Sequence, residues 1–165
     1  MAIAIRNTKE IEALSEANRI VAHALDYART LIYPGAIPLE ISCAIEKEII
    51  QMGGRASFKG LYGFPEAVCI SINEVIIHGI PTNSPLKEGD IVGIDLGVEK
   101  HGWYGDAAFT IGVGEISNDD LSLIACAKDS LMYAISEIRE GMRFKELSAL
   151  IEEFILQKGY VPLKS

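Results

Sequence analysis

The stretch IVGIDLGVEKHGWYGDAAFTIGVG, residues 91–114, constrains this chain most. Two β-rich runs, 90–99 and 103–113, flank Lys100-His101-Gly102. Alternation with a period of two around a glycine-bearing turn specifies a β-hairpin. Val92, Ile94, Leu96 and Val98 supply one apolar face, suited to a core. The opposite face carries Gly93, Asp95 and Gly97, joined by Asp106 and Ala108 from the second strand. A two-residue loop at 100 and 101 sets Asp95 directly across from Asp106, with Cβ atoms about 4.5–5.5 Å apart. A longer loop with a glycine bulge shifts this pairing, and a one-residue slip changes the face. At about 5 Å, two ionised carboxylates repel by roughly 3 kcal/mol at an effective dielectric of 20. A shared proton, a basic partner or a cation can offset that. The small neighbours leave room for an ion or a ligand. Carboxylate oxygens suit Mg, Ca or Mn, and mixed with His they suit Zn, Fe or Co. The alternative is a solvated sheet face bearing two unrelated acids.

Helices account for much of the remainder. Residues 8–32 repeat apolar positions at helical spacing through Ile11, Leu14, Ala17, Val21, Ala24 and Leu25, with Thr8 as N-cap. Residues 38–52 do so through Ile41, Ala44, Ile45 and Ile49, and Gly53-Gly54 stop them. Short strands are expected over 67–72 and 75–78, after a glycine-punctuated loop, RASFKGLYGFPE. Ser117 and Asp120 open a third helix reaching about 139, and a fourth covers about 144–158. Tyr160-Val161-Pro162-Leu163 reads as the start of a strand.

Shifted by 106 positions, PGAIPLEISCAIEKEIIQMG lies over EGMRFKELSALIEEFILQKG. Gly35, Ser42, Glu46, Gln51 and Gly53 then meet Gly141, Ser148, Glu152, Gln157 and Gly159. Shared helix grammar explains some of the matches. The glycine stops and the internal Ser and Gln favour an internal duplication. A single domain over 1–165 is expected, with a first repeat over about 1–114 and an incomplete second over about 115–165.

Two further stretches bear chemistry. CISINEVIIHGIP, residues 69–81, ends on His78 before a glycine, a position that can face a cleft. A satisfied structural histidine is the plainer reading of such a residue taken alone, and it suits His23 and His101 better. In the loop 55–69, Phe58, Leu61, Tyr62 and Phe64 can line an apolar pocket or simply pin the loop.

The charge of −8 argues against nucleic acid or an anionic membrane as the main partner. No apolar run approaches the ~20 residues of a membrane span. No secretory signal is apparent at the N-terminus, and Cys43, Cys69 and Cys126 are scattered, so a reducing cytoplasm is expected.

Together, YGFPEAVCISINEVIIHGIP, LKEGDIVGIDLGVEKHGWYGDAAFTIGVG and RFKELSALIEEFILQKGYVPLK resemble the bacterial type I methionine aminopeptidases. The resemblance runs along the whole chain and implies an α+β, pita-bread (aminopeptidase/creatinase-like) fold. It implies that Asp95 and Asp106 are acidic ligands of a centre with two divalent metal ions (Co, Mn, Fe or Zn), Asp106 bridging them. It makes His78 the catalytic and substrate-contacting histidine. It places Phe58, Leu61, Phe64 and Cys69 around the substrate's methionine side chain. Asn73 and Val75 match backbone contributors to a monovalent cation site. Family members often carry a cysteine and tyrosines where this chain has Phe58, Leu61 and Phe64, so its pocket is more purely apolar. The implied activity is metal-assisted hydrolysis that removes the N-terminal methionine of nascent proteins, with transient proximity to the ribosome.

In that family a ligand histidine and two ligand glutamates follow the VPLK stretch. Their absence here leads to three expectations. The fold should comprise the first half plus the second-half helices, with the second-half strands missing. Metal binding and activity of this chain alone should be reduced or absent. Apolar faces of the last two helices should lack the sheet they cover. A non-catalytic peptide- or protein-binding module of the same fold is the alternative reading.

Overall fold

A computed structural model describes residues 4–163. The chain divides into two compact units, one ending at Ile116 and one beginning at Ser117.

The first unit opens with helix α1, Thr8–Thr30. Its cap is Asn7, one residue before the expected Thr8. The Asn7 side chain accepts from the Glu10 amide at 3.1 Å, and Glu10 accepts from the Asn7 amide at 2.8 Å. This reciprocal box satisfies two orphan amides at once, which a Thr8 start would not. Helix α2, Pro38–Gln51, follows, with proline at the helix start where its missing N–H costs nothing.

Four strands form one antiparallel sheet: β1, Arg55–Ala56; β2, Cys69–Ile72; β3, Ile91–Lys100; β4, Trp103–Gly112. β3 is central. β4 runs along one edge, and β2 and β1 share the other, β2 against Val92–Asp95 and β1 against Val98–Glu99. The even-numbered β3 side chains Val92, Ile94, Leu96 and Val98 are fully buried and join Ile20, Val21 and Ala24 of α1 and Ile45 and Ile49 of α2 in one core. Gly105 lies where α1 presses on β4: a Cβ there would sit 2.9 Å from the Asn18 amide nitrogen.

The hairpin register differs from expectation by two. Lys100 pairs with Trp103, so Asp95 lies opposite Ala108 and Asp106 opposite Gly97. The two carboxylates share a face but are diagonal neighbours rather than direct partners. The turn chemistry explains it. The two loop residues are His101 and Gly102, both with positive φ (53° and 83°). A two-residue hairpin of this hand needs positive φ at both positions, so the glycine belongs inside the loop, not beyond it.

Two expected strands are absent. Residues 75–78 are irregular, with left-handed backbone before them at Asn73 (φ 52°) and at their end at His78 (φ 57°). Residues 160–163 are also irregular, and no ladder partner among the described residues holds them extended.

The second unit pairs α3, Asn118–Glu137, with α4, Phe144–Gln157. Ser117 caps α3 as expected, accepting from the Asp120 amide at 3.1 Å. Tyr133 stacks on Phe154 with ring centroids 5.2 Å apart. The bounds of α2 and α4 coincide under the 106-residue shift (38 to 144, 51 to 157). Leu131, Met132, Ile135, Ile138, Phe144 and Leu156 are all exposed. Among the described residues, no helix is long and apolar enough to cross a membrane.

Candidate active site

The site grows from the face of β3 opposite the core. Its register sets Cys69 of β2 on one side of Asp95 and Ala108 of β4 on the other. Small neighbours keep this face open. Gly97 does more: the Ser57 amide donates to the Gly97 carbonyl at 2.9 Å, and a Cβ on Gly97 would fall on Ser57 Oγ and the Phe58 ring. The missing side chain lets the loop after β1 lie directly on the sheet.

That loop folds into a wall. The Gly60 amide donates to the Phe64 carbonyl at 2.8 Å and the Leu61 amide to Phe58 at 2.9 Å. Gly60 and Gly63 take φ of 84° and 83°, and Tyr62 between them takes 50° with its side chain fully exposed. On the opposite side, Gly79 abuts β2. The Ile70 amide donates to its carbonyl at 2.9 Å, its own amide donates to Ser71 Oγ at 3.1 Å, and a Cβ would collide with the Ile70 carbonyl. This contact fixes the exposed His78 beside the wall.

The result is a cavity of about 400 Å³. Phe58, Leu61, Phe64, Cys69, His78 and Asp95, all singled out in the sequence, line it together. Tyr62, Gly63, Pro65 and Ile80 complete the lining. Ile80 escaped the sequence reading; its one signal was its place just after His78-Gly79. Asp106 does not line this cavity. It opens into a neighbouring hollow of about 540 Å³ bounded by Arg55, Ser57, Lys59 and Tyr104, and Phe58 and Leu61 stand between the two.

Burial and the charge of Asp106 push the Asp95 carboxyl above the usual carboxylate range, with His78 opposing. Burial, then Asp95 and Asp106, push the Cys69 thiol up to about 11, so it stays protonated near neutral pH. Neither aspartate makes a hydrogen bond or ion pair among the described residues. Two unpartnered carboxylates on one face, beside glycine and alanine, are a donor set that fits a hard divalent cation. Two donors are fewer than such an ion takes, and no group of three or more His, Cys, Asp or Glu converges among the described residues. Water, substrate or further protein groups would complete the coordination.

Asn73 and Val75 lie apart from the cavity, in the turn after β2. Asn73 Nδ2 donates to Asp90 at 2.9 Å, and its Oδ1 accepts from the Ile91 amide at 3.0 Å. These bonds tie the turn to the start of β3, and the one from Asn73 leads the effects that lower the Asp90 carboxyl. His23 Nε2 lies 2.7 Å from Glu48 Oε1, linking α1 and α2.

The sequence matches the model of metallopeptidase family M24 over residues 12–164. The chain belongs to that family. This M24 chain is 53% identical over 164 residues to a methionine aminopeptidase of Helicobacter pylori, covering 99% of itself and 65% of that relative. It is 37% identical to methionine aminopeptidase 1 of Bacillus subtilis, covering 62% of it. The crystal structure of methionine aminopeptidase from Thermotoga maritima superposes with a TM-score of 0.93 at 34% identity, over 96% of this chain and 64% of that one. The helices and antiparallel sheet are thus those of the M24 pita-bread fold, and the chain spans 65% or less of the length of these relatives. Membership in a metallopeptidase family implies use of a divalent metal, in keeping with the carboxylate pair.

Proposed function

We propose that this chain supplies the substrate pocket and two metal-holding carboxylates of a cytoplasmic methionine aminopeptidase acting on nascent proteins. The observation that carries the reading is the single cavity in which an apolar wall, Asp95 and His78 meet. Such a cavity takes one apolar side chain and fixes it with few polar groups. Phe58, Leu61 and Phe64 enclose a methionine side chain, and methionine's flexible, polarisable thioether adapts to such aromatic surroundings. Cys69 stays a neutral thiol at the floor and acts as a small apolar surface. His78 stands exposed at the rim, where a ring N–H can donate to the carbonyl of the scissile peptide. Asp95 and Asp106 hold the divalent ions, with Co, Mn, Fe and Zn as the candidates. Bound there, the metal supplies Lewis acidity and a water acidified toward neutral pH. Asn73 and Val75 contribute backbone oxygen to a monovalent cation.

The test is methionine release from Met-Ala-Ser by the purified chain with each metal, beside Asp95→Asn. Release by this chain alone is expected to be reduced or absent; whatever release occurs should depend on metal and be lost in Asp95→Asn, while free L-methionine should still bind. Release that survives the substitution overturns the reading. So does a folded chain that neither releases methionine nor binds free L-methionine.

A further inference from the structure

The wall of the cavity is clipped to helix α2 at both ends, by residues that do not touch the cavity. At one end, Lys59 Nζ reaches both carboxylate oxygens of Glu46, at 2.9 and 2.7 Å. At the other, Ser42 Oγ donates to Glu66 Oε2 at 3.1 Å. Ser42 is wholly buried, although it sits among Ile41, Ile45 and Ile49 on the core face of α2. A hydroxyl placed there is costly unless it is satisfied, and the loop carboxylate satisfies it. Ser42 and Glu46 are four residues apart, one helical turn, and so present adjacent anchors on one face.

Between the clips the tip of the loop, Gly60–Gly63, has little else to hold it. A Cβ at Gly60 or Gly63 would meet nothing within 4 Å. Leu61 and Tyr62 are exposed. The tip's own bonds, Gly60 to Phe64 and Leu61 to Phe58, shape it without tying it to the rest of the unit.

We propose that Ser42 and Glu46 are positioning residues: through Glu66 and Lys59 they set how closely the Phe58–Phe64 wall stands over Asp95. They thereby tune the fit of the cavity to its occupant. Naming that occupant as a methionine side chain rests on the function proposed above, whereas the anchorage does not.

Amide hydrogen exchange and L-methionine titration of the 165-residue chain, side by side, test this. A partly exposed ion pair biases a local opening equilibrium by a factor of roughly two to five. In Lys59→Met, exchange at Gly60, Leu61 and Phe64 should rise by about that factor, and L-methionine affinity should fall in step. The charge-swapped pair Glu46→Lys with Lys59→Glu should restore both. Glu48→Gln, whose partner is His23 on α1, should change neither. Unchanged exchange in Lys59→Met overturns the anchorage, whether or not the cavity binds methionine. Faster exchange with unaltered methionine affinity overturns the positioning role. A parent chain that binds no methionine while its exchange responds as expected counts against the proposed function alone.

Discussion

The two faces of the β3–β4 hairpin obey opposite rules. One face sets Val92, Ile94, Leu96 and Val98, each fully buried, against α1 and α2. The other sets two acids among glycines and an alanine, under a loop rather than a helix. The first face gains stability from close packing. The second gives up packing for space, and brings like charges onto one face. Because the side-chain period is two, a single strand serves both ends without compromise. It also means that each face can be altered while the other is left intact.

The largest expected effect lies on the core face. Leu96→Ala should destabilise the chain by about 2–5 kcal/mol, since it deletes packed methyl groups where neighbours cannot collapse. Denaturant unfolding measures this. L-methionine affinity of the remaining folded protein should be unchanged. A loss of affinity without loss of stability would break the division between the faces. On the other face, Gly97→Ala should cost less, about 1–3 kcal/mol of overpacking, but should weaken methionine binding. Its Cβ needs the space that Ser57 Oγ and the Phe58 ring occupy, so the wall must lift.

Asp95 gives a smaller effect with a distinctive sign. Its folded-state pKa is raised by burial and by Asp106. Between the unfolded and folded values, the native state therefore binds more protons, and stability falls as pH rises through that window. Metal-free Asp95→Asn should lack this loss. Its stability relative to the parent should increase from acid toward neutral pH. A constant difference across the titration would show that Asp95 is not strained by its surroundings. Excess divalent metal should shrink the difference, because a cation favours the ionised form.

What the sequence revealed follows the range of the forces involved. The four helices were legible because caps, glycine stops and 3.6-residue spacing are local. Even so, Asn7 replaced Thr8, since a capping box depends on a partner three residues on. Residues 75–78 looked extended because Val75, Ile76 and Ile77 are β-branched. Their side chains are exposed, and the close approach of Gly79 to β2 turns the backbone instead. The cavity-lining residues were legible as residue types, but their convergence was legible only through family resemblance. The clips from Ser42 and Glu46 were invisible, because they join residues 24 and 13 positions apart through side chains with no local pattern. The separate hollow at Asp106 was equally hidden. Phe58 and Leu61 line both hollows, and nothing in β3 or β4 announces that the loop after β1 lies there.

The smallest expected effect tests the register that sets these faces. His101 holds φ 53° in the first loop position, where Asn-Gly is the favoured pair. His101→Asn should stabilise the chain by roughly 0.5 kcal/mol, because asparagine enters the left-handed region more readily. Thermal unfolding measures the gain. Cross-strand NOEs report the register directly and should continue to pair residues 95 and 108. The same substitution offers the competing register no help: with 100 and 101 as the loop, Lys100 would need positive φ and Gly102 would be spent in a strand. NOEs linking residues 95 and 106 would therefore restore the direct pairing of the two acids. They would also remove the diagonal arrangement of Asp95 and Asp106 on that face.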